Sequence, residues 1–363
     1  MLRINNLVAP LKASLTDLKT QAAQKLGVKA ADLHDFKVSK KSVDARNKKN
    51  VHFVYSVDCT APFPAMKDKD IEIVPPTEEL HFNIKSDGVR PVVVGSGPAG
   101  MFAALALAEA GLTPIVLERG ADVETRTKKV RSFWQGGALD CNTNVQFGEG
   151  GAGTFSDGKL NTSVTDREGR NREVLELFVK MGAPEEILYE AKPHVGTDRL
   201  IPLLRSLRKR ILELGGTYSF EAQVTDLLLR DGRLQGVMLK DGQVVETEVA
   251  VLAIGHSARD TYRMLFEKGI AMEQKAFAVG FRVEHPQEMI DVLQYGFSEH
   301  TLLPAAPYKL TCRTDTGRGV YSFCMCPGGY VLNASSSEGM LCVNGMSYSD
   351  RAGKNANSAI VLQ

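Results

Sequence analysis

Three glycines and one acidic residue in the first third of the chain have the types and spacing suited to binding a pyrophosphate. Gly95, Gly97 and Gly100 follow an apolar run in a G-x-G-x-x-G pattern, and Glu118 follows a second apolar run. The glycines allow a tight turn, close approach of a phosphate and close packing of a helix on a sheet. The helix N-terminus can bind phosphates, and the Glu118 carboxylate can accept a hydrogen bond from a ribose hydroxyl. The pattern predicts a dinucleotide site; a glycine-rich turn without a ligand is the alternative.

A second glycine-rich stretch, Gln146–Lys159, contains five glycines, four of them between Phe147 and Phe155. Such a loop brings its backbone close to a ligand, and successive N–H groups can form an anion-binding nest. A flexible surface loop is the alternative, but flexible linkers are usually polar, and this loop has Phe147, Phe155 and Leu160 as anchors. We therefore predict that the stretch contacts a ligand.

Cys324 and Cys326 form the most reactive-looking pair of side chains. They could be a redox-active dithiol or supply a thiolate nucleophile. Alternatively, they are two structural thiols, because positions i and i+2 share a strand face but are poorly placed for a strain-free disulfide. A metal site is not predicted, because Cys312 and Cys342 are isolated and no second pair has suitable spacing.

Other polar positions have a chemical or a structural interpretation. His256 could lie near a cofactor or could simply bond to a loop backbone. His285 could act in acid–base chemistry with Glu284 as its orienting partner, although neighbours in sequence seldom point the same way. Asp198 is interpreted as the N-cap of a helix, and Arg259–Asp260 as a structural ion pair.

The composition is that of a globular chain with almost no net charge. Of its 363 residues, 43% are hydrophobic and 24% are charged, with a formal net charge of +1. This balance does not favour nucleic-acid or anionic-membrane partners, and no apolar run approaches the ~20 residues of a membrane helix. Six scattered cysteines suggest reduced thiols. The N-terminus has no signal-peptide pattern, so we expect a cytoplasmic location, with a plastid or another organelle as the alternative.

The first 88 residues are expected to form a small α+β domain. The run Lys37–Lys49 is basic and could bind an anion or a nucleic acid. The favoured interpretation is a solvated hairpin loop or a contact with a phosphate of the main domain, because one short run is weak evidence. Residues 77–88 lack a pattern and are interpreted as a linker.

Further along, the sequence pattern predicts a meander followed by a parallel strand. Three strand-like segments occupy residues 224–247 and are separated by Asp-Gly pairs at 231–232 and 241–242. Asp-Gly at hairpin spacing is a strong turn signal. The apolar run Val249–Gly255 is expected to be a buried parallel strand.

These features together resemble the glutathione-reductase-type FAD-binding fold, in which a β-meander precedes the last parallel strand. Pro-Ala within the glycine motif is typical of its FAD-binding members. Longer blocks resemble a family of poorly characterised FAD-dependent dehydrogenases or oxidoreductases of bacteria and plants. The matching blocks are Lys41–Arg46, Gln146–Lys159, Gly255–Asp260, Phe323–Gly329 and Asn344–Ser347.

The resemblance implies an α/β chain in three parts. These are the small N-terminal α+β domain (1–88), a Rossmann-like FAD-binding domain with an inserted β-meander (89–260), and a partial α+β substrate-side region (261–363). The implied FAD-binding residues are Gly95, Ser96, Gly97, Pro98, Ala99, Gly100, Glu118, Arg119, Gly150, Gly151, Ala152, Gly153, Ser156, Asp157, Val224 and Gly255.

The expected function is that of an FAD-dependent oxidoreductase, which transfers hydride between an unidentified substrate and flavin N5. NAD(P)H is a candidate donor, although no second G-x-G-x-x-G is present. Members of the fold usually carry a further glycine motif near the C-terminus; none precedes Gln363, so the resemblance implies a C-terminally shortened chain. The alternative is a non-catalytic flavin-binding or regulatory module that docks partners through its N-terminal domain.

Overall fold

The computed structural model describes residues 1–62, 68–75, 84, 88–162, 165–166, 169–297 and 301–362. The predicted linker, 77–88, lies almost wholly outside these residues. Within them the chain forms seven α-helices and seventeen strands. The helices are α1 (Leu15–Leu26), α2 (Pro98–Glu109), α3 (Val123–Trp134), α4 (Arg170–Lys180), α5 (Thr197–Glu213), α6 (Arg259–Glu267) and α7 (Gln287–Tyr295).

The strands are grouped into five sheets in the described residues. They are β1 (Leu2–Ala9), β2 (His34–Asp44), β3 (His52–Thr60), β4 (Ile71–Ile73), β5 (Val92–Val94), β6 (Ile115–Leu117), β7 (Thr217–Ser219), β8 (Val224–Arg230), β9 (Arg233–Leu239), β10 (Val244–Glu246), β11 (Ala250–Leu252), β12 (Val279–Pro286), β13 (Thr311–Arg313), β14 (Gly319–Cys326), β15 (Tyr330–Asn333), β16 (Val343–Met346) and β17 (Asn355–Leu362).

A parallel sheet of order β11-β5-β6-β7 forms the centre of the structure. Its middle strand β5 is fully buried, and α2 connects it to β6. The expectation that the Val249–Gly255 run is a buried strand is only partly correct. Strand β11 is parallel to β5, but it lies at the sheet edge, and its Leu252 is 39% exposed. An apolar run therefore does not by itself distinguish a central strand from an edge strand.

The predicted meander is present, in the order β10-β9-β8, with both Asp-Gly pairs at its turns. Asp231 and Gly232 both have positive φ (51° and 74°), as a tight type I′ hairpin requires. Val224 begins the first meander strand and is buried.

The N-terminal residues form an antiparallel sheet of order β2-β3-β1-β4, covered by α1. Ser14 and Asp17 form a capping box at the start of α1. The basic run is not chiefly a hairpin loop, since β2 extends to Asp44. Its Lys41 contacts a segment distant in sequence: Nζ lies 2.9 Å from Glu190 Oε1, and its backbone N–H donates to Tyr189 O at 2.7 Å.

Residues beyond 276 form an antiparallel sheet of order β12-β17-β14-β13 and a hairpin of β15 and β16. The sequence pattern did not reveal this sheet. Strand β12 is mostly exposed, with Phe281 84% exposed, and β17 begins with small residues and ends in an apolar run without a period of two.

The N-terminal sheet does not have a hydrophobic core of its own. Its buried residues, such as Ile4 and Val57, belong to one cluster with Ile290 of α7, Met325 of β14 and Ala356 of β17. Residues from the two ends of the chain therefore share one core. None of the helices in the described part of the chain has the length and apolar character needed to cross a bilayer.

Candidate cofactor site

The turn between β5 and α2 has a geometry that only glycine permits at two positions. Gly95 has φ +101°, and a Cβ there would lie within 3.0 Å of the Ala253 carbonyl. A Cβ on Gly100 would lie 2.9 Å from the Gly95 carbonyl carbon and closer still to its oxygen. Gly97 is the N-cap of α2, and no side chain caps that end. The first N–H groups of α2 thus lack an intrahelical partner.

The second glycine-rich stretch lies directly against this turn. The Gly150 N–H donates to Ser96 O at 2.7 Å. A Cβ on Gly151 would lie 2.9 Å from Gly97 Cα, so the two backbones are in close contact. The next residues form a single turn of 3-10 helix, Gly151–Phe155.

A cavity of about 530 Å³ opens between the two glycine-rich stretches. It has the size of a small-molecule or cofactor site. The predicted residues that line it come from both stretches and from the ends of β5, β6 and β11. They are Gly95, Gly97, Pro98, Ala99, Glu118, Arg119, Gly151, Ala152, Gly153, Val224 and Gly255, together with the candidate His256.

Five predicted cofactor residues do not line the cavity. Ser96, Gly100 and Gly150 lie behind its wall, where they shape the turn. Ser156 and Asp157 face another part of the chain. The buried Asp157 carboxylate accepts from Ser347 Oγ at 2.6 Å and pairs with Lys159 at 3.0 Å and with Arg351. It therefore joins the end of the glycine-rich stretch to the C-terminal region.

Glu118 connects three backbone segments around the cavity. Its carboxylate oxygens accept N–H groups from Ser96 at 2.7 Å, Gly120 at 2.9 Å and Gly148 at 3.0 Å. Charge-assisted bonds of this kind are strong and hold the segments in register. The sequence indicated only a ribose contact for Glu118, which stays a prediction.

The Arg126 side chain of α3 holds the second glycine-rich stretch in position. This role was not predicted from the sequence. Its guanidinium is fully buried and donates to five backbone carbonyls and one hydroxyl. The acceptors are Asn144 O, Val145 O, Gly148 O, Glu149 O, Gly151 O and Thr154 Oγ1. Burial lowers the pKa of Arg126 to about 10, so it remains charged at neutral pH. In the sequence it looked like one of several basic residues on a helix.

Arg119 forms part of the cavity wall through a stacked contact. Its guanidinium lies 4.4 Å from the centroid of the Phe147 ring and 2.9 Å from Asp260. Asp260 thus pairs with Arg119, and the expected ion pair with Arg259 is wrong. Arg259 instead donates to Ser337 Oγ at 3.2 Å.

A buried carboxyl group lies behind the same wall. Glu149 is fully buried, and its Oε2 accepts from Val123 N at 2.8 Å and from Arg208 at 3.1 Å. Burial raises the pKa of Glu149 to about 7. Burial also raises the pKa of the neighbouring Tyr218, with the charge of Glu149 adding to the effect.

The structure corrects one of two further interpretations of polar residues. Asp198 is not an N-cap, because α5 follows Gly196 and the Asp198 carboxylate accepts from Ser349 N at 2.7 Å. The ring of His285 packs against Tyr308, with centroids 5.4 Å apart, and its acid–base interpretation stays a hypothesis.

The candidate catalytic residues are separated. His256 lies at the cavity, with Nδ1 3.2 Å from Ser257 Oγ. Cys324 and Cys326 lie on β14, outside the cavity wall. Among the described residues, no group of three or more histidine, cysteine or acidic side chains is placed to hold a metal ion.

Comparisons with known proteins identify FAD-related sequence families. Residues 90–189 match the family described as FAD binding domain, and residues 276–363 match the family described as FAD-dependent protein, C-terminal domain-like. Residues 1–60 match a domain of unknown function.

Solved structures are similar only at a low level. The crystal structure of FqzB aligns with 76% of this chain and 53% of its own chain at 14% identity and a TM-score of 0.39. The flavin-dependent brominase Bmp2 aligns with 75% of this chain and 55% of its own at 15% identity and a TM-score of 0.36. The chain thus spans about half the length of these proteins. TM-scores below 0.5 support no conclusion about this chain.

A protein of Clostridium beijerinckii, described as uncharacterized, is far more similar. It is 46% identical over 370 residues, which cover 99% of this chain and 69% of that protein. This chain and the Clostridium beijerinckii protein belong to one family, a family of FAD-dependent proteins.

Proposed function

We propose that this chain is an FAD-dependent oxidoreductase whose cofactor lies in the cavity between the two glycine-rich stretches. The observation that carries the proposal is the uncapped N-terminus of α2, which lines that cavity side by side with Gly151. Its unpaired N–H groups and the glycine backbones fit a pyrophosphate, because phosphate oxygens can approach backbone N–H groups closely where no side chain intervenes.

The chain's own residues would bind and orient the cofactor. The first N–H groups of α2 would hold the phosphates, while Arg119 and Val224, which also line the cavity, would border the adenosine end. Glu118 and Arg126 would act indirectly, because they fix the backbones that form the cradle. A site fixed in advance loses less free energy to ordering when the ligand binds.

The cofactor supplies the redox chemistry, and the protein supplies its position and surroundings. FAD accepts or donates a hydride when it is bound. His256, on the cavity wall, is the candidate to hold a proton near the site. We further propose NAD(P)H as the electron donor, and the substrate is left open.

The first test compares FAD affinity in the wild type and in Gly97→Ala. A Cβ at Gly97 would lie 3.7 Å from Gly151 Cα, an ordinary contact, so the fold should be kept. The methyl group would occupy the proposed phosphate path. We expect FAD affinity, measured by quenching of flavin fluorescence, to fall about tenfold, which is about 1.4 kcal/mol.

Gly319→Ala is the matched control, because a Cβ there meets nothing within 4 Å. It should bind FAD like the wild type. A wild-type protein that takes up no FAD, or a Gly97→Ala variant with unchanged affinity, would contradict the proposed site. Anaerobic addition of NADH or NADPH to the FAD-loaded protein then tests the donor. Flavin absorbance that persists with both would exclude a nicotinamide donor.

A further inference from the structure

The strand that carries Cys324 and Cys326 is distorted between them. Strand β14 pairs regularly with β17 up to Phe323, and the register then shifts before Cys326. Cys324 has φ +47°, a backbone conformation that side chains rarely adopt. Bulges and strained residues occur often at functional sites, where they aim a side chain.

The distortion turns the Cys326 side chain back toward the backbone of Cys324. Residues i and i+2 of a regular strand are about 6.6 Å apart, near the upper limit for a disulfide. Here the Cys326 Sγ lies 3.3 Å from the carbonyl oxygen of Cys324. Cys324 and Cys326 therefore do not have the regular i, i+2 strand geometry that favours two purely structural thiols.

Several contacts hold this arrangement in place. The Arg282 guanidinium donates to Cys324 O at 3.2 and 3.3 Å and to Asn357 Oδ1 at 2.5 Å. Gly345 lies against the pair, since a Cβ there would lie 2.7 Å from Cys326 Sγ. The position of the thiols is thus set by three neighbouring strands.

The charged groups around the pair are mainly cationic. Lys159 Nζ lies 3.9 Å from Cys326 Sγ, and Arg282 is the second cation. The nearby acid is Asp157, whose charge is already paired with Lys159 and Arg351. A hydrogen bond from Cys326, together with these cations, lowers the pKa of Cys324 to about 6, whereas the pKa of Cys326 is raised.

We propose that Cys324 and Cys326 form a redox-active dithiol that reduces disulfides, with Cys324 as the nucleophile and Cys326 as the resolving thiol. The cationic surroundings and the strained, bulged strand are its physical basis. The proposal goes beyond the proposed flavin function and does not depend on it.

The reaction is an exchange of sulfur–sulfur bonds. The Cys324 thiolate attacks one sulfur of the substrate disulfide, which forms a mixed disulfide and releases the first substrate thiolate. The Cys326 thiol then loses its proton and attacks Cys324 Sγ, which forms the intrachain disulfide and releases the second substrate thiolate. The substrate gains two electrons, the pair loses two, and a small dithiol reductant restores the pair.

The test uses a chromogenic aromatic disulfide and protein without added FAD. The exposed Cys312 and Cys342 and the partly exposed Cys141 are first changed to serine to remove background reaction. We expect this parent to release about two equivalents of aromatic thiol and to form a Cys324–Cys326 disulfide, seen by peptide mass spectrometry. With Cys326→Ser added, release should stop at about one equivalent, and a stable mixed disulfide should remain on Cys324.

Two further variants test the nucleophile and the cation beside the cysteine pair. Cys324→Ser should slow thiol release about tenfold at pH 6.5. Lys159→Met leaves both sulfurs in place. It should slow thiol release severalfold at pH 6.5 and have less effect on that rate at pH 9. If the parent forms no Cys324–Cys326 disulfide, or if Cys326→Ser leaves no adduct on Cys324, the dithiol proposal is wrong. Because no flavin takes part, failure here is distinguishable from failure of the FAD proposal.

Discussion

At the scale of single residues, Arg126 shows how one buried cation can define a loop. Its six hydrogen bonds span residues 144–154, which otherwise have little secondary structure. Buried polar backbone groups must be paired, and a glycine-rich loop has few side chains of its own to do this. The ordered shape of the cradle therefore depends on a side chain from a different element, α3.

We predict that Arg126→Met destabilises the protein by about 3 kcal/mol, because it leaves several buried carbonyls without donors. FAD affinity should fall as well, since the Gly148–Gly151 backbone loses its support. Urea unfolding measures the first effect and flavin fluorescence the second. Arg131→Met, on the exposed side of the same helix, should change stability by no more than about 0.5 kcal/mol. Equal effects of the two substitutions would refute the role of Arg126.

Glu149 makes the stability of the folded protein depend on pH, with a defined sign. Its pKa is raised from 4.5 to about 7 by burial, so the folded protein holds a proton that the unfolded chain releases between these pH values. Stability should therefore fall as the pH rises from about 4.5 to about 7, by about 3 kcal/mol in total.

Glu149→Gln should remove this contribution. The variant should match the wild type near pH 5 and should be more stable than it at pH 8, because no buried charge forms. Urea unfolding at the two pH values measures the difference. Glu124→Gln, which alters another partner of Arg208 at a half-exposed site, is the control and should show no such pH-dependent gain. A wild-type stability that is flat between pH 5 and 8 would argue against a raised pKa.

At the scale of secondary-structure elements, the contact between β5 and α2 has no room for a side chain. A Cβ on Gly100 would overlap the Gly95 carbonyl oxygen and approach Ala253 Cβ at 3.3 Å. The helix must then move away from the sheet, which would separate its N-terminus from the cavity. Overpacking of this kind typically costs about 1–3 kcal/mol.

We predict that Gly100→Ala lowers the free energy of unfolding by about 2 kcal/mol. Gly153→Ala is the matched control, since its Cβ would lie 3.8 Å from Pro98 and its backbone is unstrained. That substitution should leave stability nearly unchanged. Chemical denaturation of both variants provides the comparison, and a Gly100→Ala protein as stable as Gly153→Ala would contradict the packing argument.

The elements that sequence predicted best are those with local signals. The Asp-Gly turns predicted the boundaries of β8 and β9 to within one residue, and the glycine spacing predicted where α2 begins. The edge position of β11 was not predictable, because it depends on which strands pair with β5. Arg126 and the bulge at Cys324 were missed for the same reason, since both depend on contacts between residues distant in sequence.

At the scale of the whole molecule, the two ends of the chain are joined through one core. The N-terminal sheet and α1 pack with α7, β14 and β17, so the division into three successive parts, which stays a prediction, does not correspond to three separate cores. Such long-range contacts leave no periodic mark in either segment. The basic run Lys37–Lys49 was interpreted as a solvated hairpin loop or a phosphate contact, whereas Lys41 of that run forms an ion pair with Glu190.

The attachment through Lys41 has a consequence for self-association. Strand β2 is the outermost strand of its sheet, and an outermost strand offers unpaired N–H and C=O groups to any chain that can align with it. In this protein Tyr189 O and Ala191 N occupy those groups at Lys41, with hydrogen bonds of 2.7 and 2.9 Å. The contact that attaches the first sheet to the rest of the molecule thereby also occupies this edge at Lys41 and makes that point unavailable to a second chain.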